Sequence, residues 1–373
     1  MKLSIEKSIL LEGLQKVAKV VTNKNSIPVL QGILMDVDHE KIVLTGSDST
    51  ETIQHTILIE QGIEVTDPGK TVLPKKVLDI VKKAPATIYL TEDGDKLKIK
   101  FKKKGRSEFN LNCLNADEFP ALRDEEKNSA AISLSSQQFK SIVNKTIFAA
   151  STQEARPMLQ GVQFGTKEGF LTLYATDSHR LSKVQIEQDC TDFSVVVPAR
   201  ALDGMLKVFD DEGTVELHIQ NEQSVMFKSG NTSFITRLFQ GNYPEVERLL
   251  QIESDTTMTI ERKSFLNGLD LVSLAADNTR PTVHLHVNGV AVLESLSSQS
   301  GKGTIEVEYK AIEGMQGEFD ITFDAMFVMD SLKALQSDEI NFNYVAKDKP
   351  IIIIGADDTL ASEVHLITPI RTK

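Results

Sequence analysis

The stretch "SIPVLQGILMDVDHEKIVLTGSDSTET" (26–52) realigns on "ARPMLQGVQFGTKEGFLTLYATDSHRL" (155–181). Leu30-Gln31-Gly32 recurs as Leu159-Gln160-Gly161, and Ser47-Asp48-Ser49 falls on Thr176-Asp177-Ser178, both at an offset of 129. A fainter third copy begins "TRPTVHLHVNGVAVLES" (279–295), where Arg280-Pro281 repeats Arg156-Pro157 at an offset of 124. A period this long exceeds that of a solenoid repeat and suits a domain that folds by itself. The chain therefore reads as three copies of one unit.

Each copy has two further matching segments. "LSIEKSILLEGLQKVAKVV", "ISLSSQQFKSIVNKTIFAAS" and "MTIERKSFLNGLDLVSLAA" each read as a short strand, then a helix with apolar residues at i, i+3 or i+4, and i+7. "TVLPKKVLDIVKKAPATIYL", "VVVPARALDGMLKVFDDEGTVEL" and "ITFDAMFVMDSLKALQSDEINF" each read as a strand, a helix and an alternating strand. Polar connectors, "RDEEKNS" (123–129) and "QIESDTT" (251–257), separate the copies. The expected fold class is α+β, with domains 1–125, 126–254 and 255–373, each carrying two helices packed on antiparallel sheets.

Composition narrows the class. A chain of 373 residues with 40% hydrophobic and 25% charged residues can build two or three soluble cores. Lys2, Glu6 and Lys7 interrupt any signal-peptide core, and no apolar run approaches the roughly 20 residues a membrane helix needs. Two cysteines, Cys113 and Cys190, argue against a disulfide framework and for a reducing cytoplasm.

The net charge of −12 argues against nucleic acid only if it is evenly spread. It is not. The helical segments predicted at 7–20, 75–83, 136–148, 199–208, 262–274 and 324–335 hold 14 basic and 6 acidic residues, leaving −20 on the rest of the chain. Gathered on one surface, six such helices would make a basic lining on an acidic body. It lacks stacking aromatics and suits unspecific contact with duplex phosphates rather than base readout. Ordinary helix composition is the alternative, since Lys and Arg favour helices.

Asp177, Ser178 and His179 stand side by side in a chain with seven histidines, which invites a hydrolase reading. Taken as a strand, their side chains alternate between faces and cannot converge. No Gly-x-Ser-x-Gly elbow surrounds Ser178. A nucleophile there would need a third group supplied in space.

The three repeats, together with "ARPMLQGV", "ATDSHRLS", "FQGNYPEV" and the terminal "ITPIRTK", closely resemble the bacterial DNA polymerase III β subunit family, the sliding clamps. The resemblance runs through the whole chain in order. It implies a non-catalytic DNA sliding clamp without cofactor or metal, cytoplasmic and nucleoid-associated, in which two three-domain subunits join head to tail into a ring. The helices would face sequence-independent double-stranded DNA. A hydrophobic pocket would tether the DNA polymerase III alpha subunit, the clamp loader, and other polymerases and repair proteins with clamp-binding motifs.

Carried over residue by residue, the deeper subsite of that pocket is Leu159, Thr176, Ser178, His179, Arg180, Leu181, Pro244 and Leu249. The second is Asp324, Phe327, Pro350, Ile352, Leu366, Ile367, Thr368, Pro369, Ile370 and Arg371. An apolar floor would supply affinity and a polar rim the orientation. Ser178 stands where many relatives have Gly, Asp324 where an Asn can occur, and Thr372-Lys373 extends the tail; each could alter peptide preference. Lys24, Asn25, Lys75, Lys76, Lys140, Gln153, Arg156 and Arg200 are the DNA-facing candidates, with a structural role the alternative for Arg156. The dimer interface would draw on Arg106, Phe109 and Leu111 against Leu274, with Glu306 and Glu308 as complementary charges.

Outside that resemblance, "KLKIKFKKKGRSEFNL" (96–111) has a plain reading as a charged hairpin edge that resists aggregation. His284 and His286 share one strand face, but no Cys or carboxylate follows at ligand spacing, so a packed or solvated pair is expected. A repeat-built protein scaffold that never encircles DNA is the competing function.

Overall fold

The computed structural model describes residues 1–371 apart from 102–106, 121–130, 221–222, 277–279, 297–300, 315–316 and 361. The first repeat runs β1 (Lys2–Glu6), α1 (Lys7–Val17), β2 (Gly32–Val37), β3 (Lys41–Ser47), β4 (Glu51–Leu58), β5 (Ile63–Asp67), β6 (Gly69–Pro74), α2 (Val77–Lys83), β7 (Thr87–Asp93), β8 (Lys96–Phe101) and β9 (Glu108–Asn112). The second runs β10 (Ile132–Ser135), α3 (Ser136–Ile147), β11 (Gly161–Lys167), β12 (Phe170–Thr176), β13 (Arg180–Glu187), β14 (Ser194–Pro198), α4 (Ala199–Leu206), β15 (Thr214–Gln220), β16 (Ser224–Ser229) and β17 (Thr232–Arg237). The third runs β18 (Thr256–Glu261), α5 (Arg262–Ser273), β19 (Thr282–Asn288), β20 (Ala291–Ser295), β21 (Thr304–Val307), β22 (Tyr309–Gly314), β23 (Glu318–Asp324), α6 (Ala325–Ala334), β24 (Glu339–Tyr344), β25 (Ile351–Gly355) and β26 (Glu363–Ile367). All six helices fall inside the bounds read from periodicity. The repeats differ mainly in β5 and β22, which lie antiparallel on the opening strands β1 and β18 of their own repeats.

Among the described residues four sheets result: β5-β1-β7-β8-β9, β10-β15-β16-β17-β4-β3-β2-β6, β14-β11-β12-β13-β26-β25-β24-β18-β22, and β21-β20-β19-β23. Two compact units hold them, Met1–Phe139 with Arg200–Leu238, and Lys140–Ala199 with Phe239–Lys373. The first two sheets lie in the first unit and the last two in the second. In the first unit, β4·β17 joins a strand of the first repeat to one of the second. In the second unit, β13·β26 joins the second repeat to the third.

The helices sit on the sheets through one repeated pattern. Helix α1 buries Leu10, Gly13, Leu14 and Val17, and α5 buries Phe265, Gly268, Leu269 and Val272. Both follow i, i+3, i+4, i+7, the apolar stripe of an amphipathic helix. The glycine allows the close approach. A Cβ on Gly13 would meet Leu44 at 2.8 Å, and one on Gly268 would meet Val307 at 2.9 Å. Each fully buried leucine here contributes about 1.5–3 kcal/mol. No helix among the described residues is long and apolar enough to cross a membrane.

The β4·β17 ladder buries a titratable group. His55 pairs with Thr232, and its Nδ1 lies 2.9 Å from the Thr232 hydroxyl. Burial first, and the Lys16 ammonium next, hold the imidazole below its ordinary value. Its neutral form is therefore preferred in the folded state, and the resulting stability is complete above the unfolded value of about 6.5. That stability is lost as pH falls through the lowered folded value. Thermal unfolding compared at about pH 7.5 and about pH 5.5 should show a smaller acid loss for His55→Gln than for the native chain. Equal losses would locate the acid sensitivity elsewhere.

Candidate functional site

Asp177, Ser178 and His179 do not form a strand. Strand β12 ends at Thr176 and β13 begins at Arg180, so the three residues make a hairpin turn. Asp177 Oδ1 accepts the His179 N–H at 2.8 Å and the Arg180 N–H at 3.0 Å. The Thr176 hydroxyl accepts from the Ser178 N–H at 3.1 Å and donates to the Arg180 carbonyl at 2.6 Å. The first repeat builds the same turn. Asp48 Oδ1 accepts from the Thr50 and Glu51 N–H groups, while Ser47 Oγ accepts from Ser49 N–H and donates to the Glu51 carbonyl. Ser178 and Ser49 both adopt positive φ, 79° and 86°.

The side chains confirm that no triad forms. Ser178 Oγ accepts from Arg156 Nη1 at 2.6 Å, and the His179 ring lies nearly parallel to Phe327, 6.5 Å away. Arg180 is held by two carboxylates, its Nε donating to Asp177 at 3.1 Å and its Nη1 to Asp330 at 2.6 Å. Its guanidinium also lies 4.5 Å from the Phe327 ring centroid and 5.5 Å from that of Phe148. Charge pairing on one edge and aromatic faces on the other lock this arginine in place. These groups orient a surface; none is paired as nucleophile and base.

An apolar row runs beneath the turn. Leu181 on β13 pairs with Leu366 on β26, which pairs with Ile352 on β25. The three side chains share one face and cluster with Val246 and Val364, flanked by Tyr174, Tyr243 and Leu250. Burial, aided by the nearby Glu247 carboxylate, pushes the Tyr174 phenol up to about 12. Burial also raises Tyr243, whose hydroxyl oxygen accepts the Thr176 N–H at 3.1 Å. Both phenols thus remain neutral. Leu159 is buried, whereas Pro244 and Leu249 are exposed, Leu249 by 50%.

The residues of the expected second subsite divide between roles. Ile367 belongs to the third-repeat core, and half-buried Phe327 packs against that core. Asp324 is buried and committed: Oδ1 accepts the Met326 N–H at 3.0 Å, capping α6, and Oδ2 accepts from Arg280 Nε at 3.2 Å. The tail is strapped down, since the Thr368 N–H and hydroxyl both donate to the His179 carbonyl at 2.9 Å. The Ile370 N–H donates to the Thr322 carbonyl at 2.7 Å. Pro350, Pro369 and Ile370 are half-buried and Arg371 is exposed.

Arg156 shows what residue type alone conceals. Grouped by sequence with DNA-facing residues, its side chain bonds Ser178 at the mouth of the apolar row. Asn25 likewise ties two loops together, donating to the Asp48 carbonyl in the β3–β4 turn and accepting the Ile27 N–H. Lys75 donates to the Val21 carbonyl. Lys24, Lys76, Gln153 and Arg200 are exposed, and Lys140 is half-buried. Of the interface residues, Phe109 is 43% exposed on β9, Leu111 is half-buried on the same strand, and Leu274 is 76% exposed after α5. Arg106 lies outside the described residues.

His284 and His286 do have a carboxylate, brought from β23 rather than from nearby sequence. Asp320 Oδ1 lies 2.7 Å from His286 Nδ1 and 3.2 Å from His284 Nε2. The hydrogen bond with His286 holds the Asp320 carboxyl below its ordinary value. Among the described residues, no group of three or more His, Cys, Asp or Glu could hold a metal ion.

Family models for the DNA polymerase III beta subunit match in sequence order: the N-terminal domain over 1–123, the central domain over 133–245 and the C-terminal domain over 247–370. The chain is 33% identical over 380 residues to the beta sliding clamp of Staphylococcus epidermidis, and 34% identical over 385 residues to that of Bacillus subtilis. All of this chain and all of each relative are covered. The fold is similar to the crystal structures of the Bacillus subtilis DNA polymerase sliding clamp (TM-score 0.94, 34% identity) and the Streptococcus pyogenes DNA polymerase beta subunit (TM-score 0.93, 29% identity), each with full coverage of both chains.

The positive φ at Ser178 sets a testable order of stability. A non-glycine residue in the left-handed region costs about 1–2 kcal/mol. Ser178→Gly removes that cost and one exposed hydrogen bond. Ser178→Ala keeps the strain and also loses the bond. The glycine variant should therefore unfold above the alanine variant, by roughly 1 kcal/mol in denaturant titration. The reverse order would mean that the larger unfolded-state entropy of glycine outweighs the relief of turn strain.

Proposed function

The chain belongs to the DNA polymerase III beta subunit family, the bacterial sliding clamps, and we propose that two copies close head to tail round duplex DNA. It is a non-catalytic processivity factor. On this reading it is cytoplasmic and nucleoid-associated, its domains divide in the polar connectors at 125 and 254, and its apolar row is the floor of a partner pocket. The pocket holds the polymerase alpha subunit, the clamp loader, and other polymerases and repair proteins through a short peptide with apolar anchors. Leu181, Leu366 and Ile352 supply its floor, while Arg156, Ser178, His179 and Arg180 supply its rim.

One observation carries the ring. Inside the chain, β4 pairs with β17 and β13 pairs with β26. Strand β21 occupies in the third repeat the position of β4 and β13, and β9 occupies in the first the position of β17 and β26. Among the described strands, β21 pairs only with β20 and β9 only with β8. A second copy satisfies both open edges by repeating the internal joint, a heterologous contact closed by twofold symmetry. The register follows as well. Phe234 opposes Ile53 and His365 opposes Ser182 in the internal joints. By ladder position Phe109 replaces Phe234 and His365, while Gly303 replaces Ile53 and Ser182, so Glu108 of one copy faces Thr304 of the other. The exposed side chains of Phe109, Leu271 and Leu274 provide apolar surface to cover.

Support for the DNA-facing surface comes from a cleft of about 600 Å³ in the first unit, where Lys16, Lys19, Lys75, Lys82 and Lys207 gather with Glu12 and Asp210. Lys16 is drawn to Glu12 and Asp210, each at 2.9 Å, which tempers the positive field. A dilute lining of this kind gives weak, salt-sensitive phosphate contact and permits sliding. A protein-only scaffold would have no use for it.

In a background with Cys113 and Cys190 replaced by serine, Glu108→Cys with Thr304→Cys should form an intermolecular disulfide under mild oxidation. The sealed ring, closed after loading on a nicked circle, should resist high salt and come off when the circle is linearised. Cross-linking without that difference between circle and line would support the scaffold reading instead.

Deleting residues 369–373 removes part of the second subsite. Burying one Leu or Phe anchor is worth roughly 1.5–3 kcal/mol, so a Gln-Leu-x-Leu-Phe-type peptide should bind about tenfold or more weakly by fluorescence anisotropy. Unchanged affinity would put the pocket elsewhere.

A further inference from the structure

The second subsite has an internal counterpart in the first repeat. The Ile370 N–H donates to the Thr322 carbonyl at 2.7 Å, and the Leu114 N–H donates in the same way to the Val72 carbonyl at 3.2 Å. Gly32 pairs with Pro74 as Thr282 pairs with Asp324. By these positions Leu114 stands for Ile370, Asn112 for Thr368, and Pro74 for Asp324. What the third repeat reserves for the pocket wall, the first repeat also builds.

A real cleft of about 720 Å³ occupies that position. Its wall includes Pro28, Pro74, Leu78, Asn112, Leu114 and Lys76. Leu114 is 41% exposed, an apolar side chain held open beside two prolines. Pro74 replaces a carboxylate that in the third repeat is spent on capping α6, so the wall is more apolar here. The ammonium of Lys75 is turned onto the Val21 carbonyl, whereas Lys76 is exposed on the rim. Strand β9 ends at Asn112, so the cleft opens beside the edge read above as the subunit contact.

We infer that this cleft is a second peptide site, which takes an extended segment ending in a Leu- or Phe-sized anchor and a carboxylate. The anchor lies on Leu114, Leu78 and the prolines, the Asn112 amide bonds the peptide backbone, and Lys76 receives the carboxylate. The inference rests on reading the third-repeat surface as a peptide pocket, because the equivalence supplies the kind of ligand. Apolar contact supplies the affinity and the lysine the direction of the chain.

Full-length protein, titrated with fluorescein-labelled Gln-Leu-Ser-Leu-Phe bearing a free terminal carboxylate, tests it by anisotropy and calorimetry. Two peptides should bind per chain, one more weakly. Deletion of 369–373 should weaken the tighter site and leave the other. In that background Leu114→Arg, Lys76→Glu, or amidation of the peptide should each weaken the residual site about tenfold. Native mass confirms that the variants remain assembled. One peptide per native chain, or residual binding indifferent to both substitutions, overturns the inference and leaves the pocket reading intact. Full-strength binding after the deletion, abolished by Leu114→Arg, would uphold the first-repeat site and overturn the third-repeat pocket.

Discussion

An open sheet edge is the constraint on which the rest of the structure depends. Each edge strand presents a row of main-chain donors and acceptors, and a buried group left unpaired costs about 1–3 kcal/mol. The chain satisfies four such edges internally, in the two joints β4·β17 and β13·β26. A linear series of three similar units must then leave one edge of each kind at its ends. Sheet chemistry thus leads from a repeat in sequence to an assembly, without any residue specialised for dimerisation beyond those that cover the joint.

The same joint makes the surface proposed above as the partner pocket. Because β13 and β26 come from different repeats, the row Leu181–Leu366–Ile352 exists only where their ladder forms. The strapped tail is bonded directly to the turn, with the His179 carbonyl taking two bonds from Thr368. Beneath, Lys145 bonds Glu363 at 2.5 Å and Glu363 lies 3.2 Å from His365. The buried Glu363 carboxylate is thus paired with the half-buried Lys145 ammonium, which is the condition under which burial is tolerated. On the reading proposed above, a peptide on this surface would meet a preformed wall, and little of its affinity would be spent on ordering the protein.

The fold was largely legible because repetition multiplies weak signals. The helical stripe of α1 alone is ordinary; its reappearance in α5 with Gly13 matched by Gly268 makes it a rule of packing. The site was less legible because its roles depend on contacts remote in sequence. Asp177 to His179 resembled strand, yet the Asp177 side chain supplies the bonds that turn the chain. Asp324 belongs to the expected second subsite, and nothing in its local sequence says that its carboxylate also caps α6. Asp320 reaches the two histidines only through the β19·β23 ladder, which no local spacing announces. Tyr243 was visible in "FQGNYPEV", but nothing there says that its hydroxyl takes the Thr176 N–H.

Comparing the two internal joints separates what the scaffold provides from what the side chains add. The first unit has the same turn and the same ladder, with Thr52 at the place of Leu181, Ile235 at that of Leu366 and Met226 at that of Ile352. Glu51 stands where the second repeat has Arg180. Burial and the Asp48 carboxylate raise its pKa, against a smaller opposing pull from Arg200. Ile27 takes the place of Arg156, so no guanidinium crosses to the turn. A threonine interrupts the apolar floor and a carboxylate replaces the clamped arginine, which removes both the affinity and the orienting rim. Backbone geometry alone therefore does not reproduce the floor and rim proposed above. On the pocket reading proposed above, three side-chain differences, Leu for Thr, Arg for Glu and Arg for Ile, adapt a joint that the fold had to build anyway.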